Sequence, residues 1–197
     1  MKIYDISQEV YGCEVYPGDP TPKKEILCSL SKGDVCNLTQ LSMCAHNGTH
    51  LDAPYHFFDN GKRIDQIPLD RTVGFAYIAE AQGDISHSMA EQILSSAASA
   101  HPGCEKKILI KGGAVVTEEA AEVFAAAGVQ LVGVESQTVG PFKAPMAVHR
   151  ILLGADTVLL EGLRLSEAKE GPYFLSAAPL SLADGDGAPV RAFLIEL

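Results

Sequence analysis

The sequence predicts a single mixed α/β domain whose N-terminal half is rich in strands. The 197 residues are enough for one sizeable hydrophobic core, because single domains commonly reach about 200 residues. Hydrophobic residues make up 47% of the chain and charged residues 20%, which is an ordinary globular composition. In the C-terminal half, strand-like and helix-like segments alternate as they do in parallel α/β units. We therefore treat residues 1–197 as one domain.

Strands dominate the predicted elements of the N-terminal half. The alternation in residues 2–7 predicts a first strand, whereas the Pro- and Gly-rich residues 16–22 exclude a helix or a central strand. Residues 25–30 and 38–43 predict two antiparallel strands joined by a Ser-Lys-Gly-Asp turn. Residues 73–80 predict a further strand.

Helices and strands alternate in the next part of the chain. The pattern Ser-Met-Ala-Glu at residues 88–91 predicts a capping box, with Ser88 as the cap of a helix that runs to about residue 99. Residues 107–111 predict a strand, residues 117–127 a helix closed by Gly128, and residues 130–135 a strand.

The C-terminal elements complete this pattern. Pro145 suits the first position of a helix that ends near residue 153. Residues 157–160 form a short β-rich run that leads to Glu161, and residues 189–197 predict one closing strand after an Asp-Gly-Asp-Gly turn.

Charge and cysteine content exclude several classes of partner. The formal net charge is −10, which disfavours nucleic acid and anionic membrane surfaces, because both attract clustered Lys and Arg. The first residues include acidic side chains and no long apolar run, so neither a secretory signal nor a membrane span is expected. The five cysteines form no Cys-x-x-Cys pair. We expect them to be reduced, mostly as small buried hydrophobes, in a cytoplasmic protein.

The chemistry is concentrated in one segment, His46-Asn-Gly-Thr-His50-Leu-Asp52-Ala-Pro-Tyr-His56. In an extended chain, His50 and Asp52 project to the same side, and a turn at Asn47-Gly48 can bring His46 beside them. Two imidazoles and a carboxylate suit zinc or manganese and leave coordination positions open for water. The pattern therefore predicts a catalytic metal site.

Simpler interpretations of the same residues exist. Buried histidines usually satisfy hydrogen bonds in the core, and two at this spacing could cap turns. Cys44 could add a soft ligand to the ion. His56 follows a proline and could point at the ion or merely near it. We interpret His56 as an acid/base residue rather than a ligand.

The run His-x-Gly-Thr-His-x-Asp-x-Pro-x-His resembles the signature of the cyclase-like metal hydrolases, a family that includes bacterial kynurenine formamidases and isatin hydrolases. The resemblance continues in Tyr-Pro-Gly-Asp at residues 16–19, in Ala-Val-His at residues 147–149 and in Leu-Glu-Gly-Leu at residues 160–163. It also includes the C-terminal residues 178–182 and 186–191. Because it covers most of the chain, it implies a domain of the swivelling β/β/α type.

The resemblance also implies a two-metal centre that holds divalent ions, either zinc or manganese. His46 and His50 would serve the first ion and His149 the second. Asp52 and Glu161 would bridge the two ions. Without the resemblance, a lone glutamate at the end of an apolar run and a lone histidine in a helix would carry no such assignment.

The implied reaction is hydrolysis of an amide bond in an aromatic N-acyl substrate, as in an arylformamidase, by a hydroxide that bridges the metals. His56 would take a proton from water and return it to the leaving nitrogen. Tyr16 would lie where kynurenine formamidase has an aromatic residue against its substrate. Tyr55, Phe57 and Phe58 could add further aromatic surface to the pocket.

Two departures from the family pattern concern the substrate. The chain has no tryptophan, and Val-Glu-Ser-Gln-Thr at residues 134–138 replaces an expected aspartate-containing Gly-x-Asp-Thr run. Ring opening of a lactam or lactone with a single metal, as in isatin hydrolase, is therefore an alternative. A metal-stabilised binding protein without turnover is a second. The resemblance implies a small-molecule substrate and a homo-oligomer, either a dimer or a tetramer.

Overall fold

Nine of the thirteen strands form one large mixed sheet that carries the candidate site. The computed structural model describes residues 1–197. The strands are β1 (Ile3–Asp5), β2 (Lys23–Cys28), β3 (Leu38–Ser42), β4 (His50–Asp52), β5 (Val73–Glu80), β6 (Asp84–Ile85), β7 (Lys107–Lys111), β8 (Val115–Val116), β9 (Leu131–Val134), β10 (Val158–Glu161), β11 (Gly171–Ser176), β12 (Gly187–Pro189) and β13 (Phe193–Glu196). The helices are α1 (His87–Ala100), α2 (Glu118–Ala126) and α3 (Met146–Gly154).

The strand order in the large sheet is β1-β13-β11-β5-β7-β9-β10-β4-β12. Strands β5, β7, β9 and β10 are parallel to their neighbours in this central group. The flanking strands on both sides pair antiparallel. The mixed α/β class is therefore confirmed, whereas the swivelling β/β/α type stays a prediction.

Two hydrophobic clusters cover the two faces of the sheet. On β7, Leu109 belongs to one cluster, whereas Ile108 and Ile110 belong to the other, because successive side chains of a strand point to opposite faces. The second cluster includes Phe124 of α2 and Leu152 of α3, so the helices pack on that face. A strand buried on both faces explains the uninterrupted apolar core of β7.

The predicted helices and central strands are confirmed with small shifts of their ends. Helix α2 is capped by the Thr117 hydroxyl, which accepts a hydrogen bond from the backbone N–H of Ala120 at 3.2 Å. Gly128 follows the helix with φ +67°, the conformation that commonly ends helices. The cap predicted for α1 is wrong: Ser86, not Ser88, accepts the N–H of Met89 at 3.3 Å. Ser86 has extended backbone angles, which suit a cap.

Strand β11, which the sequence does not predict, pairs with β5 along its whole length. Its first residues, Gly171 and Pro172, ordinarily argue against a strand. The proline is tolerated because β13 pairs with β11 only from Tyr173 onward. Pro172 therefore has a strand neighbour on one side only, as a residue of an edge strand has, and edge positions are where strands tolerate proline.

The C-terminal segment forms two strands rather than the one predicted. Strand β12 pairs with β4, and β13 pairs with β1 and β11, at opposite ends of the strand order. Only residues 190–192 connect them, and the four Cα–Cα steps from Pro189 to Phe193 span at most about 14 Å. The two ends of the sheet must therefore lie close together, so the sheet is strongly curled. This curl brings β12 beside the histidine segment.

Strands β2 and β3 form a separate antiparallel hairpin, as predicted. The expectation that the cysteines are mostly buried is wrong, because only Cys104 is buried and Cys36 is exposed. Cys28 and Cys36 belong to the exposed hairpin and its connection. None of the helices is both long and apolar enough to cross a membrane.

Candidate metal centre

The histidine segment folds as a tight turn followed by strand β4. The amide oxygen of buried Asn47 accepts the backbone N–H of Cys44 at 2.9 Å, and Gly48 adopts φ +68°, where glycine meets no steric penalty. The turn places His46 Nδ1 at 2.8 Å from Asp52 Oδ1. His50 lies on the same side of β4, with its Nε2 at 3.5 Å from that oxygen.

Two more distant segments complete the cluster. In the antiparallel pair β4–β10, Glu161 lies directly opposite His50, where side chains of neighbouring strands meet. Helix α3, whose Val148 and Leu152 pack in the same cluster as Leu159 of β10, contributes His149. The structure thus brings together all five residues assigned to the metals by resemblance, namely His46, His50, Asp52, His149 and Glu161.

Asp52 and Glu161 both lie close to the imidazoles of His50 and His149. From Asp52, the Nε2 atoms of His50 and His149 lie at 3.5 and 3.7 Å. From Glu161, the same nitrogens lie at 3.4 and 3.3 Å. Both carboxylates and both imidazoles are at most 5% exposed. Two buried carboxylates therefore face one small volume together with two imidazole nitrogens.

Three of these side chains, His50, His149 and Glu161, are also hydrogen-bonded to the backbone. His50 Nδ1 lies 3.0 Å from the carbonyl of Gly48, and His149 Nδ1 lies 2.9 Å from that of Pro145. Glu161 Oε1 accepts the N–H of Val139 at 2.7 Å. A histidine that donates one ring N–H to a carbonyl keeps its other nitrogen free and oriented for a metal. The donor set therefore fits a divalent cation.

Electrostatics favour positive charge at the centre. Burial opposes protonation of His46, but hydrogen bonds from its two nitrogens to Asp186 and Asp52 outweigh burial and raise its pKa to about 11. Burial likewise opposes ionisation of Asp52, yet its hydrogen bond to His46 and the nearby imidazoles lower its pKa. Without a metal, a protonated His46 therefore balances part of the negative charge of the carboxylates. A divalent cation supplies the same charge while the imidazoles release their protons.

A second group, His46, His56 and Asp186, adjoins the first. One carboxylate oxygen of Asp186 lies 2.9 Å from His46 Nε2 and 3.3 Å from His56 Nδ1. The rings of His46 and His56 lie 4.2 Å apart. No role for Asp186 follows from the sequence, because Asp-Gly-Asp-Gly is typical of a turn. Its position depends on the pairing of β12 with β4, in which Gly187 lies opposite Asp52.

These groups open into a cavity of about 290 Å³, the lower end of the range for small-molecule sites. Tyr16 lines it, and its ring lies 5.5 Å from that of Phe142. Phe57 also lines it and stacks on His149 at 4.9 Å.

Three side chains raised as candidates lie outside the cavity and the metal-ligand groups. The guanidinium carbon of Arg63 lies 4.3 Å from the centre of the Tyr55 ring. Phe58 packs beside Gly154, against the hydrophobic cluster on the sheet face that the helices cover. Neither of them lines the cavity, so the suggestion that they add to its aromatic surface is wrong. Cys44 belongs to none of the groups that could hold a metal.

Sequence comparison matches residues 4–141 to a family described as "Putative cyclase". A kynurenine formamidase of Erythrobacter litoralis is 32% identical in an alignment 207 positions long, gaps included, that covers 100% of this chain and 94% of that protein. A kynurenine formamidase of Paracidovorax citrulli is also 32% identical, over 98% of this chain and 95% of that protein.

Solved structures resemble the whole chain as well. A protein described as a predicted metal-dependent hydrolase from Bacillus stearothermophilus gives a TM-score of 0.80 at 27% identity, covering 98% of this chain and 97% of that chain. Isatin hydrolase A from Ralstonia solanacearum gives a TM-score of 0.81 at 20% identity, covering 99% and 92%. The second likeness concerns the fold alone.

Proposed function

Because this chain belongs to the cyclase family, we propose that it is a metal-dependent hydrolase that cleaves the amide bond of an aromatic N-acyl substrate, as an arylformamidase does. The observation that carries the proposal is the pair of buried carboxylates, Asp52 and Glu161, each within 3.7 Å of the Nε2 atoms of His50 and His149. Similarity to two kynurenine formamidases at 32% identity supports a substrate like N-formylkynurenine.

We assign two divalent ions, zinc or manganese, to this centre. His46 and His50 would hold the first ion and His149 the second, with Asp52 and Glu161 between the two. Three neutral imidazoles and two carboxylates suit either metal. Bound divalent ions supply a Lewis acid for the carbonyl and make a nearby water acidic.

His56 is the residue we assign to proton transfer. Its side chain is 29% exposed, in contrast to the buried His50 and His149, and it lines the cavity. Asp186 holds its Nδ1 at 3.3 Å, which fixes the ring and leaves Nε2 for the substrate. An imidazole so placed can accept a proton from water and pass it to the leaving nitrogen.

Tyr16 and Phe57 supply apolar surface at the cavity. We assign Tyr16 to contact with the aromatic part of the substrate. Its hydroxyl donates to the carbonyl of Phe142 at 3.5 Å, which links the early loop to the connection between β9 and α3. Aromatic walls with a polar, charged interior match an aromatic amide better than a fully polar substrate.

The test is turnover by the metal-loaded protein on N-formylkynurenine, formanilide and isatin, with His56→Ala beside it. Loss of formanilide turnover by about 10²–10⁴-fold, with metal content kept, is the effect expected for a lost acid/base residue. His87→Ala is the matched control, because His87 is 60% exposed and lies on α1, outside the cavity. Turnover of isatin alone would favour lactam ring opening. No turnover of any of the three by protein that holds metal would favour a binding protein.

We also propose that the chain forms a homo-oligomer, a dimer or a tetramer, through the hairpin β2–β3. Ile26 pairs with Thr39, so Ile26 and Leu41 project from the same face of the hairpin, where they are 59% and 49% exposed. A two-stranded hairpin is marginally stable in water unless it packs on something, and grouped exposed apolar side chains mark contact surfaces. A second copy of the chain would cover them.

Sedimentation of the double variant Ile26→Ser, Leu41→Ser tests this interface. We expect the variant to sediment as a monomer and the wild type as an oligomer. Leu69→Ser is the control, since Leu69 is 61% exposed but lies outside the hairpin. An unchanged mass for the double variant would show that another surface, or none, joins the subunits.

A cytoplasmic location stays a prediction from the cysteine pattern.

A further inference from the structure

Gln137 is a buried polar residue that the proposed reaction does not yet use. It is 7% exposed and lines the same cavity as the metal-ligand cluster. Neither its amide oxygen nor its amide nitrogen has a hydrogen-bond partner in the protein. No other side chain has both atoms of an amide buried and unpaired. Native proteins pair most buried polar groups, so such a residue calls for an explanation.

The backbone on both sides of Gln137 is fixed to the segment that carries Glu161. The carbonyl of Ser136 accepts the N–H of Gly162 at 2.7 Å. On the other side, the N–H of Val139 donates to Glu161 Oε1, also at 2.7 Å. These two bonds hold the loop against the end of β10, so Gln137 keeps a defined position next to a candidate metal ligand.

Gly162 leaves room for the Gln137 amide. A Cβ atom built on Gly162 would lie 2.5 Å from Gln137 Nε2, closer than non-bonded contact allows. The carboxamide therefore packs directly over the residue that follows Glu161. The terminal torsion of a glutamine side chain is soft, so the amide can turn toward the cavity without moving its backbone.

An unpaired buried amide destabilises the fold, since it gives up water without gaining a partner. An apolar side chain of similar size would avoid that cost. Groups of this kind persist where function needs them, because stability and activity compete at binding sites. A ligand that brings both a donor and an acceptor would satisfy the amide.

We propose that Gln137 is a specificity-determining residue whose carboxamide hydrogen-bonds a polar group of the substrate beside the scissile amide. This inference rests on the proposed arylamide hydrolysis. It narrows the substrate to N-acyl arylamines that carry a second hydrogen-bonding group next to the amide, such as an ortho carbonyl. A site built to hydrogen-bond one group discriminates strongly against analogues that lack it.

The variant Gln137→Leu tests the proposal with a pair of substrates, formanilide and 2-acetylformanilide. We expect kcat/KM for 2-acetylformanilide to fall by about tenfold or more, and kcat/KM for formanilide to change by less than about threefold. Metal content should be unchanged. The melting temperature should stay the same or rise, because the unpaired amide is gone. A structural role would instead lower the melting temperature and slow both substrates alike, which would overturn the proposal.

Binding of the products gives a readout that does not depend on turnover. By calorimetry, the wild type should bind 2-aminoacetophenone more tightly than aniline, and Gln137→Leu should lose that preference. Equal binding of the two amines by the wild type would overturn the inference. If neither formanilide is hydrolysed but the binding preference exists and needs Gln137, the proposed reaction fails while the assignment of Gln137 as a recognition residue holds.

Discussion

Replacing Glu161 with glutamine removes one of the two buried negative charges at the candidate metal centre while keeping the shape of the side chain. Glutamine can still accept the N–H of Val139, which bonds to Glu161 at 2.7 Å. It cannot balance charge near His50 and His149, whose Nε2 atoms lie at 3.4 and 3.3 Å from the carboxylate. The substitution should therefore weaken the binding of a divalent metal strongly, and it should change the free energy of unfolding of the metal-free protein much less.

The magnitude follows from linkage between binding and folding. At a free metal concentration about 1,000 times the dissociation constant, one ion stabilises the folded state by about 4.1 kcal/mol. Loss of a group that merely supports a ligand weakens binding by about 10–100-fold, so loss of Glu161 itself should reach at least the upper value. At the same metal concentration, a hundredfold weaker site stabilises by only about 1.4 kcal/mol.

The assay is thermal unfolding with and without metal, together with metal content by mass spectrometry. For a chain of this size, about 1 kcal/mol corresponds to roughly 2–4 °C in melting temperature. The metal-dependent rise should therefore be roughly 5–11 °C smaller in Glu161→Gln than in the wild type.

Glu135→Gln is the matched control for this experiment. Glu135 also accepts a backbone N–H, from Gly112 at 2.8 Å, but it lies outside the cavity that Glu161 lines. We expect it to leave the metal response unchanged. An unaltered metal response in Glu161→Gln, or an equal loss in Glu135→Gln, would refute the assignment of Glu161 to the metal centre.

Three further predictions concern a positioning residue, a thiol and a buried amine. Asp186→Asn should lower kcat by about 10–100-fold while KM changes little, because Asp186 orients His56. An unchanged kcat in steady-state assays would count against a positioning role for Asp186. At pH 8, an alkylating reagent should label exposed Cys36 before Cys104, whose pKa burial raises, and peptide mass spectrometry would show the order. Burial lowers the pKa of Lys107, so Lys107→Met should stabilise the fold by roughly 0.5–2 kcal/mol at pH 7. Urea titrations should show that this gain shrinks as the pH rises toward 10.5, the ordinary pKa of lysine.

The sign for Lys107 follows from proton binding. Its folded-state pKa is depressed, so the unfolded chain binds the proton more readily than the folded chain does. The destabilisation is complete below the folded pKa and disappears as pH rises through the interval up to the unfolded value. A stabilising effect of Lys107→Met that did not depend on pH would point to packing rather than charge.

The sequence specified those parts of the site that lie close together along the chain. His46, His50 and Asp52 are separated by at most six residues, so strand periodicity and one glycine turn suffice to bring them to one side. The alternation of apolar strands and capped helices likewise predicted β7, α2 and β9. In these segments, local preference and tertiary packing favour the same conformation.

Residues that reach the site through strand pairing were harder to predict. Glu161 and His149 were assigned only by resemblance, because neither stands in a pattern of its own. Asp186 was missed, since a turn-forming sequence looks the same whether or not its neighbouring strand pairs with β4. Strand β11 was missed because Pro172 is compatible with a strand only where one side lacks a partner.

The sequence by itself therefore determined the class of fold, the start and end of α2 and the first three candidate metal ligands. Tertiary structure alone decided that Glu161 faces His50, that Asp186 holds His56, and that Gln137 lies unpaired beside the cavity. The physical reason is the range of the interactions. Turns, caps and side-chain periodicity depend on residues a few positions apart, whereas a curled sheet joins strands that are more than a hundred residues apart in the chain.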